Sequence, residues 1–338
     1  MISENCFYFR QRSITFNKMT TRRNFLKSTS TITAGSLLPI NDIFTSLKMK
    51  NKMGIQLFSV PKMLSEDFVA GIKMLSKMGY KEVELYGPYP FSAQVARDNW
   101  SKIGTMLGFS GSGYFGKTAK EIKKILDDHG LKAPSAHTDW DTLVNNMSQL
   151  GEAAHILGHD YVVLPSIPDD KRTSLDDYRR IADTFNTIGE TAKKNGIRFG
   201  YHNHGYGIKP KDGQVPLQII LDHTDPKLVF FEMDIFWTTA GGADPITYLS
   251  KYPNRYKMLH LKDMKEKKEF SGDGGSAAQW IPLFGMMTAA GDGVIDLTGI
   301  VKKAKEIGVE HYFVEQDMVA HPEIVLSKSY NYLMNKVK

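Results

Sequence analysis

Cysteine is nearly missing from this chain of 338 residues: the one thiol is Cys6. Beyond the first 40 residues disulfides, thiolate catalysis and cysteine-ligated zinc are therefore excluded, and a metal site would have to use imidazole and carboxylate ligands. A charge excess is also missing. Of 43 basic and 37 acidic residues, six basic and one acidic fall within positions 1–40, which leaves 37 against 36, a net of +1, in the rest. That balance offers no electrostatic footprint for nucleic acid. The apolar stretch Ser28 to Ile40 is too short and too rich in Ser and Thr for a membrane span. A phosphate-binding glycine loop is absent too, because the first strand candidate runs into Val60-Pro61-Lys62, and with it goes the dinucleotide fingerprint of an open doubly wound sheet.

What residues 1–40 do carry is Arg22-Arg23-Asn24-Phe25-Leu26-Lys27 after Thr20-Thr21. This run resembles the twin-arginine export motif, and the resemblance implies a leader over 1–40 and a periplasmic destination for an already folded protein. Met19 directly precedes the motif and is the expected start of translation, with 1–18 an over-extension.

From Met53 onward strand-like and helix-like segments alternate. Eight strand candidates are Gly54–Ser59, Glu82–Tyr86, Lys132–His137, Tyr161–Pro165, Ile197–His202, Leu228–Asp234, Tyr256–Lys262 and His311–Glu315. Between them, Asp67–Met78, Ala119–His129, Leu143–Leu157, Leu175–Lys194 and Thr298–Ile307 place apolar residues at spacings of three and four. Gly79, Gly130, Gly158, Gly196 and Gly308 each follow a helix candidate, as C-terminal caps do. Eight strand–helix repeats predict an α/β fold, a (β/α)8 TIM barrel in a single domain over 53–338. The segments Pro88–Gly113 and Lys265–Asp296 interrupt the repeat and read as a lid or insertion and a long loop, both on the face that carries active sites in such barrels.

Charged residues end the later strands. Strands buried on both sides should be almost wholly apolar, and a charge there is costly unless paired, solvated or bound to a metal. Asp234 ends LVFFEMD, His260 sits in YKMLHLKD, and Glu315 ends HYFVE. His202, ending the fifth strand, completes an arc of four ligands for one divalent ion; Mn, Mg, Co and Zn all suit such a set. His204 lies one step further out on the same face, as a general base, an alternative ligand or a group beside the ligands. Around them Gln56, Glu84, Tyr86, His137, Trp237 and Lys262 are candidate substrate contacts. For Glu84 a salt bridge inside the barrel is the equal alternative, and Lys262 would either hold an enediolate oxygen or pair with Asp263.

The segments GIQLFSV, YKEVELYG, GIRFGYHNHGYG, FEMDIFWTTAGGADP, KMLHLKD and YFVEQD resemble the xylose isomerase-like barrel superfamily, the sugar phosphate isomerase/epimerase group. The resemblance implies a metal held by Glu, Asp, His and Glu from strands five to eight. Asp234, His260 and Glu315 match three of these positions, and the strand-five Glu is His202 here. Trp237 stands where epimerases of the group often carry a substrate-binding His, which points to stacking in sugar recognition. The resemblance implies a metal-dependent sugar isomerase/epimerase working through an enediolate, with Glu315 and His202 or His204 moving the proton. The replaced glutamate keeps open a dehydratase or lyase acting on 3-keto sugars or inososes, and a non-catalytic sugar-binding barrel is the third reading. The partner in each case is a small carbohydrate; a homo-oligomer is compatible with the sequence.

Overall fold

The computed structural model describes residues 53–317 and 319–337; the expected twin-arginine leader, Met19 and Cys6 lie outside them. Eight parallel strands close a barrel: β1 (Met53–Gln56), β2 (Glu82–Tyr86), β3 (Lys132–His137), β4 (Tyr161–Leu164), β5 (Arg198–His202), β6 (Val229–Asp234), β7 (Tyr256–Leu261) and β10 (His311–Val314). β10 pairs with β1 and β7 and completes the ring. A short antiparallel ribbon, β8 (Asp263–Met264) with β9 (Met287–Thr288), stands outside it. Among the described residues no helix is long and apolar enough to cross a membrane.

The interior of the barrel follows from strand alternation. Every second side chain points inward, so each strand contributes a short column that rises toward its C-terminal end. On β7 the column is Met258, His260 and then Lys262. On β6 it is Phe230, Glu232 and Asp234, and on β10 it is Phe313 followed by Glu315. Tyr161, Val163, Met258 and Phe313 pack together with Phe230 as an apolar plug. Above that plug the same columns turn polar, with Glu84, Ser135, His202, Glu232, Asp234 and His260 all buried. A much larger apolar cluster, which includes Ile55, Leu85, Val162, Phe199 and Leu259, fills the space between strands and helices.

Local chemistry sets the helix ends. Thr118 with Glu121, and Ser174 with Asp177, form capping boxes at the starts of Ala119–Asp128 and Leu175–Lys194. Gly79 ends Phe68–Met78 at φ +112°, and any Cβ there would also meet the Tyr330 ring. The other expected cap glycines, Gly130, Gly158, Gly196 and Gly308, take positive φ as well.

Some segments depart from the sequence pattern. The first strand stops at Gln56 and turns into a 3-10 helix, Leu57–Ser59, because the Gln56 side chain caps the Phe58 N–H. The stretch expected as one helix over 143–157 is two, Trp140–Asn145 and Met147–Leu157, broken where Asn146 donates its side-chain N–H to the Phe91 carbonyl at 2.7 Å. The insertion after β2 contains the helix Gln94–Leu107, and the long loop after β7 contains Ala277–Phe284 and β9. Asp263 organises that loop: its buried carboxylate accepts the backbone N–H groups of Met264, Gly291, Gly293 and Ile295 at 2.8–3.1 Å.

His159 gives the fold a pH dependence. It precedes β4, is buried, and faces the Ala133 carbonyl with Nδ1. Burial pushes its pKa from the ordinary 6.5 down to about 4. The unfolded chain therefore binds the proton more readily between these values, and stability falls as pH drops from 6.5 toward 4, by on the order of 3 kcal/mol for this group alone. Urea unfolding at pH 7 and pH 4.5 should show that loss in the wild type and a smaller one in His159→Gln; equal losses would contradict the assignment.

Candidate active site

Two layers of side chains meet at the C-terminal mouth of the barrel. In the lower layer Glu84 is fully buried. It accepts hydrogen bonds from Gln56 Nε2 at 2.8 Å and Ser135 Oγ at 2.5 Å, and its Oε2 lies 2.7 Å from His260 Nε2. Glu232 Oε2 lies 2.7 Å from His137 Nε2 and 3.0 Å from His202 Nδ1. In the upper layer His260 Nδ1 meets Glu315 Oε2 at 2.7 Å. The Lys262 ammonium sits 2.9 Å from Asp234, 2.6 Å from Glu315 and 3.0 Å from Asp317. Lys262 thus pairs with these three carboxylates and not with Asp263, whose oxygens are taken by the loop.

These contacts fix the imidazoles. Glu232 takes the Nδ1–H of His202, so the Nε2 lone pair is left facing Asp234 Oδ2 at 3.9 Å. Asp234 uses Oδ1 to cap the Trp237 N–H at the start of Ile235–Ala240. Its Oδ2 accepts no aligned hydrogen bond, although Lys262 is near. Likewise, Glu84 takes the Nε2–H of His260, which leaves Nδ1 for the Glu315 side. A ligand histidine held through its other nitrogen by a carboxylate is the usual arrangement around a bound metal.

Charge points the same way. Five carboxylates, Glu84, Glu232, Asp234, Glu315 and Asp317, converge here with one lysine. Burial opposes the charge on His137 and His260, yet the surrounding glutamates outweigh it. The His137 pKa rises to about 9 and that of His260 moves well above the ordinary imidazole range. Burial and the neighbouring anions push Asp317 up to about 6, even with Lys262 beside it. Burial raises Asp234 as well. A divalent cation would relieve this surplus of negative charge. Ligand atoms of Asp234, His260 and Glu315 all lie within 4.8 Å of one another, with His202 Nε2 beside them. Three of the four residues expected as ligands therefore share one place, His202 approaches it from the Asp234 side, and this donor set fits a divalent ion. His137, His202, Glu232 and His260 form a second close group; there Glu232 Oε2 is engaged by His137 and His202, while its Oε1 has no partner.

A cavity of about 780 Å³ opens above this cluster, reached by Gln56, Tyr86, His137, His202, His204, Lys262 and Glu315. Glu84 lies beneath the floor as part of the interior network. Trp237 does not line the cavity. It is buried, stacked on Phe270 with ring centres 5.7 Å apart, and so offers no face to a sugar. The stack pulls the loop after β7 over the end of β5, close enough that a Cβ on Gly205 would overlap the Phe270 ring. The same loop lays Trp280 parallel to His204 at 5.7 Å. Burial lowers the His204 pKa to about 3, and its buried Nδ1 has no hydrogen-bond partner. Sequence reasoning passed over Glu232, Ser135 and Asp317. Each lies two residues from a residue already singled out, so the strand period carried the signal.

A model of the xylose isomerase-like TIM barrel family matches residues 72–324, and the chain belongs to that family. It is 31% identical over 265 residues to an inosose dehydratase of Clostridium beijerinckii, covering 68% of this chain and 86% of that protein. An inosose dehydratase of Clostridium perfringens is 31% identical over 167 residues, or 48% of this chain; there the match spans only about half of the relative, 55%. Among solved structures, a sugar phosphate isomerase/epimerase from Parabacteroides distasonis superposes with a TM-score of 0.67 at 28% identity, covering 85% of this chain and 96% of that one.

Metal affinity reads the imidazole tautomers. Asp234→Asn removes a ligand and should weaken Mn²⁺ or Zn²⁺ binding in titration calorimetry. Glu232→Gln touches no ion, yet should weaken it by about 10- to 100-fold. Affinity should also rise with pH in the wild type, because binding displaces the His260 Nδ1 proton. Unchanged affinity in Glu232→Gln would contradict the arrangement.

Proposed function

We propose that the protein is a metal-assisted dehydratase, a lyase that removes water from a keto sugar or inosose. The observation that carries this reading is the inequality of the proton-handling groups at the cavity. An epimerase of this family works with two carboxylates on opposite faces of the sugar, whereas the strand-five position here is His202, with Nδ1 engaged by Glu232. Glu315 is also unsuited to take a proton. Lys262 and His260 both engage its Oε2, at 2.6 and 2.7 Å, which commits it as an anion and a ligand. His204 is the base that remains: neutral, on the cavity wall, with a buried Nδ1 that no hydrogen bond engages. Lys262 is the acid, an ammonium held by three carboxylates. One base and one acid of different kinds suit an elimination better than a symmetric proton exchange.

A divalent ion held by His202, Asp234, His260 and Glu315 would supply Lewis-acid polarisation of the keto oxygen. His204 Nδ1 takes the proton from the carbon beside the carbonyl. The electron pair forms the new carbon–carbon double bond as the hydroxyl one carbon further leaves, with a proton from Lys262 Nζ, as water. Solvent then returns a proton to Lys262 and removes one from His204. The dehydratase relatives support this outcome; the likeness to an isomerase/epimerase structure favours proton abstraction beside a carbonyl, which both reactions share.

Incubating the metal-loaded protein with an inosose in D2O separates the readings by NMR and mass. Loss of one water with an enone product is expected. Deuterium uptake into an isomer without water loss would overturn the proposal in favour of isomerisation, and no change would favour a binding protein. His204→Ala and Lys262→Met should each lower turnover by about 10²- to 10⁴-fold, and full activity in either would remove its assigned role.

A further inference from the structure

We infer that the substrate is a glycoside, a sugar bearing a second ring through a glycosidic oxygen, and that the helix Gln94–Leu107 builds the site for that second ring. The inference rests on the dehydratase reading for the first ring. Its own ground is the cavity. At about 780 Å³ it lies toward the upper end of the roughly 300–1,000 Å³ found for ligand sites, far more than a single six-membered ring fills. The space is continuous from Glu315 and Lys262 out to the inserted helix.

The lining changes character along the way. The floor is charged. The outer wall carries Ala96, Asn99, Trp100 and Ile103, whose spacing of three and four sets them on one helix face. The indole of Trp100 is fixed by a hydrogen bond from Nε1 to the Ser110 carbonyl and by packing on Tyr86, with ring centres 5.8 Å apart. Trp140 forms another part of the lining. Ile103 is 43% exposed, an apolar side chain left open at a cavity wall. Fixed aromatic faces with amide and carboxylate groups close by, such as Asn99 and Asp169 at the rim, suit a ring that is apolar on its faces and polar at its edge. The insertion after β2 thereby has a function that the reaction chemistry does not explain.

The test is binding without turnover. Glucose, phenyl α-glucoside and phenyl β-glucoside lack a keto group, so titration calorimetry on the full metal-loaded chain reads affinity alone. One phenyl glucoside should bind at least tenfold more tightly than glucose. The gap should shrink to less than threefold in Trp100→Ala and in Ile103→Asp, the second chosen because an exposed position tolerates substitution; thermal melts check that both fold. No tightening over glucose, or a gap that survives in both folded variants, overturns the inference. Water loss from an inosose without such tightening would sink the second-ring site and spare the dehydratase; tightening without water loss would do the reverse.

Discussion

The structure depends on five carboxylates brought together inside the mouth of a closed barrel. Buried anions at these distances repel one another and lose their hydration. The fold holds them with Lys262 at the upper layer and with His137 and His260 between the layers. Neighbouring strand ends supply these groups: the register sets Asp234 beside His260 and His202 beside Glu232. The arrangement leaves two carboxylate oxygens without a hydrogen bond, Asp234 Oδ2 in the upper layer and Glu232 Oε1 in the lower. The lower carboxylates give His202 and His260 the tautomers a cation needs.

That division of labour explains why a buried layer of Glu84, Ser135 and Glu232 exists at all. An apolar layer would cost less in desolvation, yet it would leave both imidazoles free to turn or to place their protons on the wrong nitrogen. The hydrogen bonds are directional, so the lower layer specifies geometry that the apolar plug beneath it cannot.

Much of this was legible in the sequence. The parallel barrel followed from alternating periods, and Asp234, His260 and Glu315 stood out because a charge at the end of an apolar strand needs a reason. Lys132–His137 and Leu175–Lys194 kept their expected bounds. What escaped depended on contacts between distant segments. Asn146 breaks a helix only because Phe91 is there to accept its amide. Trp237 looked available to a sugar until the loop after β7 laid Phe270 across it. Lys262 had a sequence neighbour, Asp263, that satisfied charge on paper; the backbone amides of residues 291–295 claim that carboxylate instead. Glu232 differs: its two-residue offset from Asp234 sets both on one strand face, so the strand period alone carried it.

The central claim is that a single divalent ion belongs in the upper layer. Crystals grown with Mn²⁺ or Zn²⁺ and measured at the metal's absorption edge test it most directly. The account predicts one anomalous peak per chain, at ligand distances of about 2.0–2.2 Å from His202 Nε2, Asp234 Oδ2, His260 Nδ1 and Glu315. A map with no peak there, or with its peak among His137, His202 Nδ1 and Glu232, would contradict it.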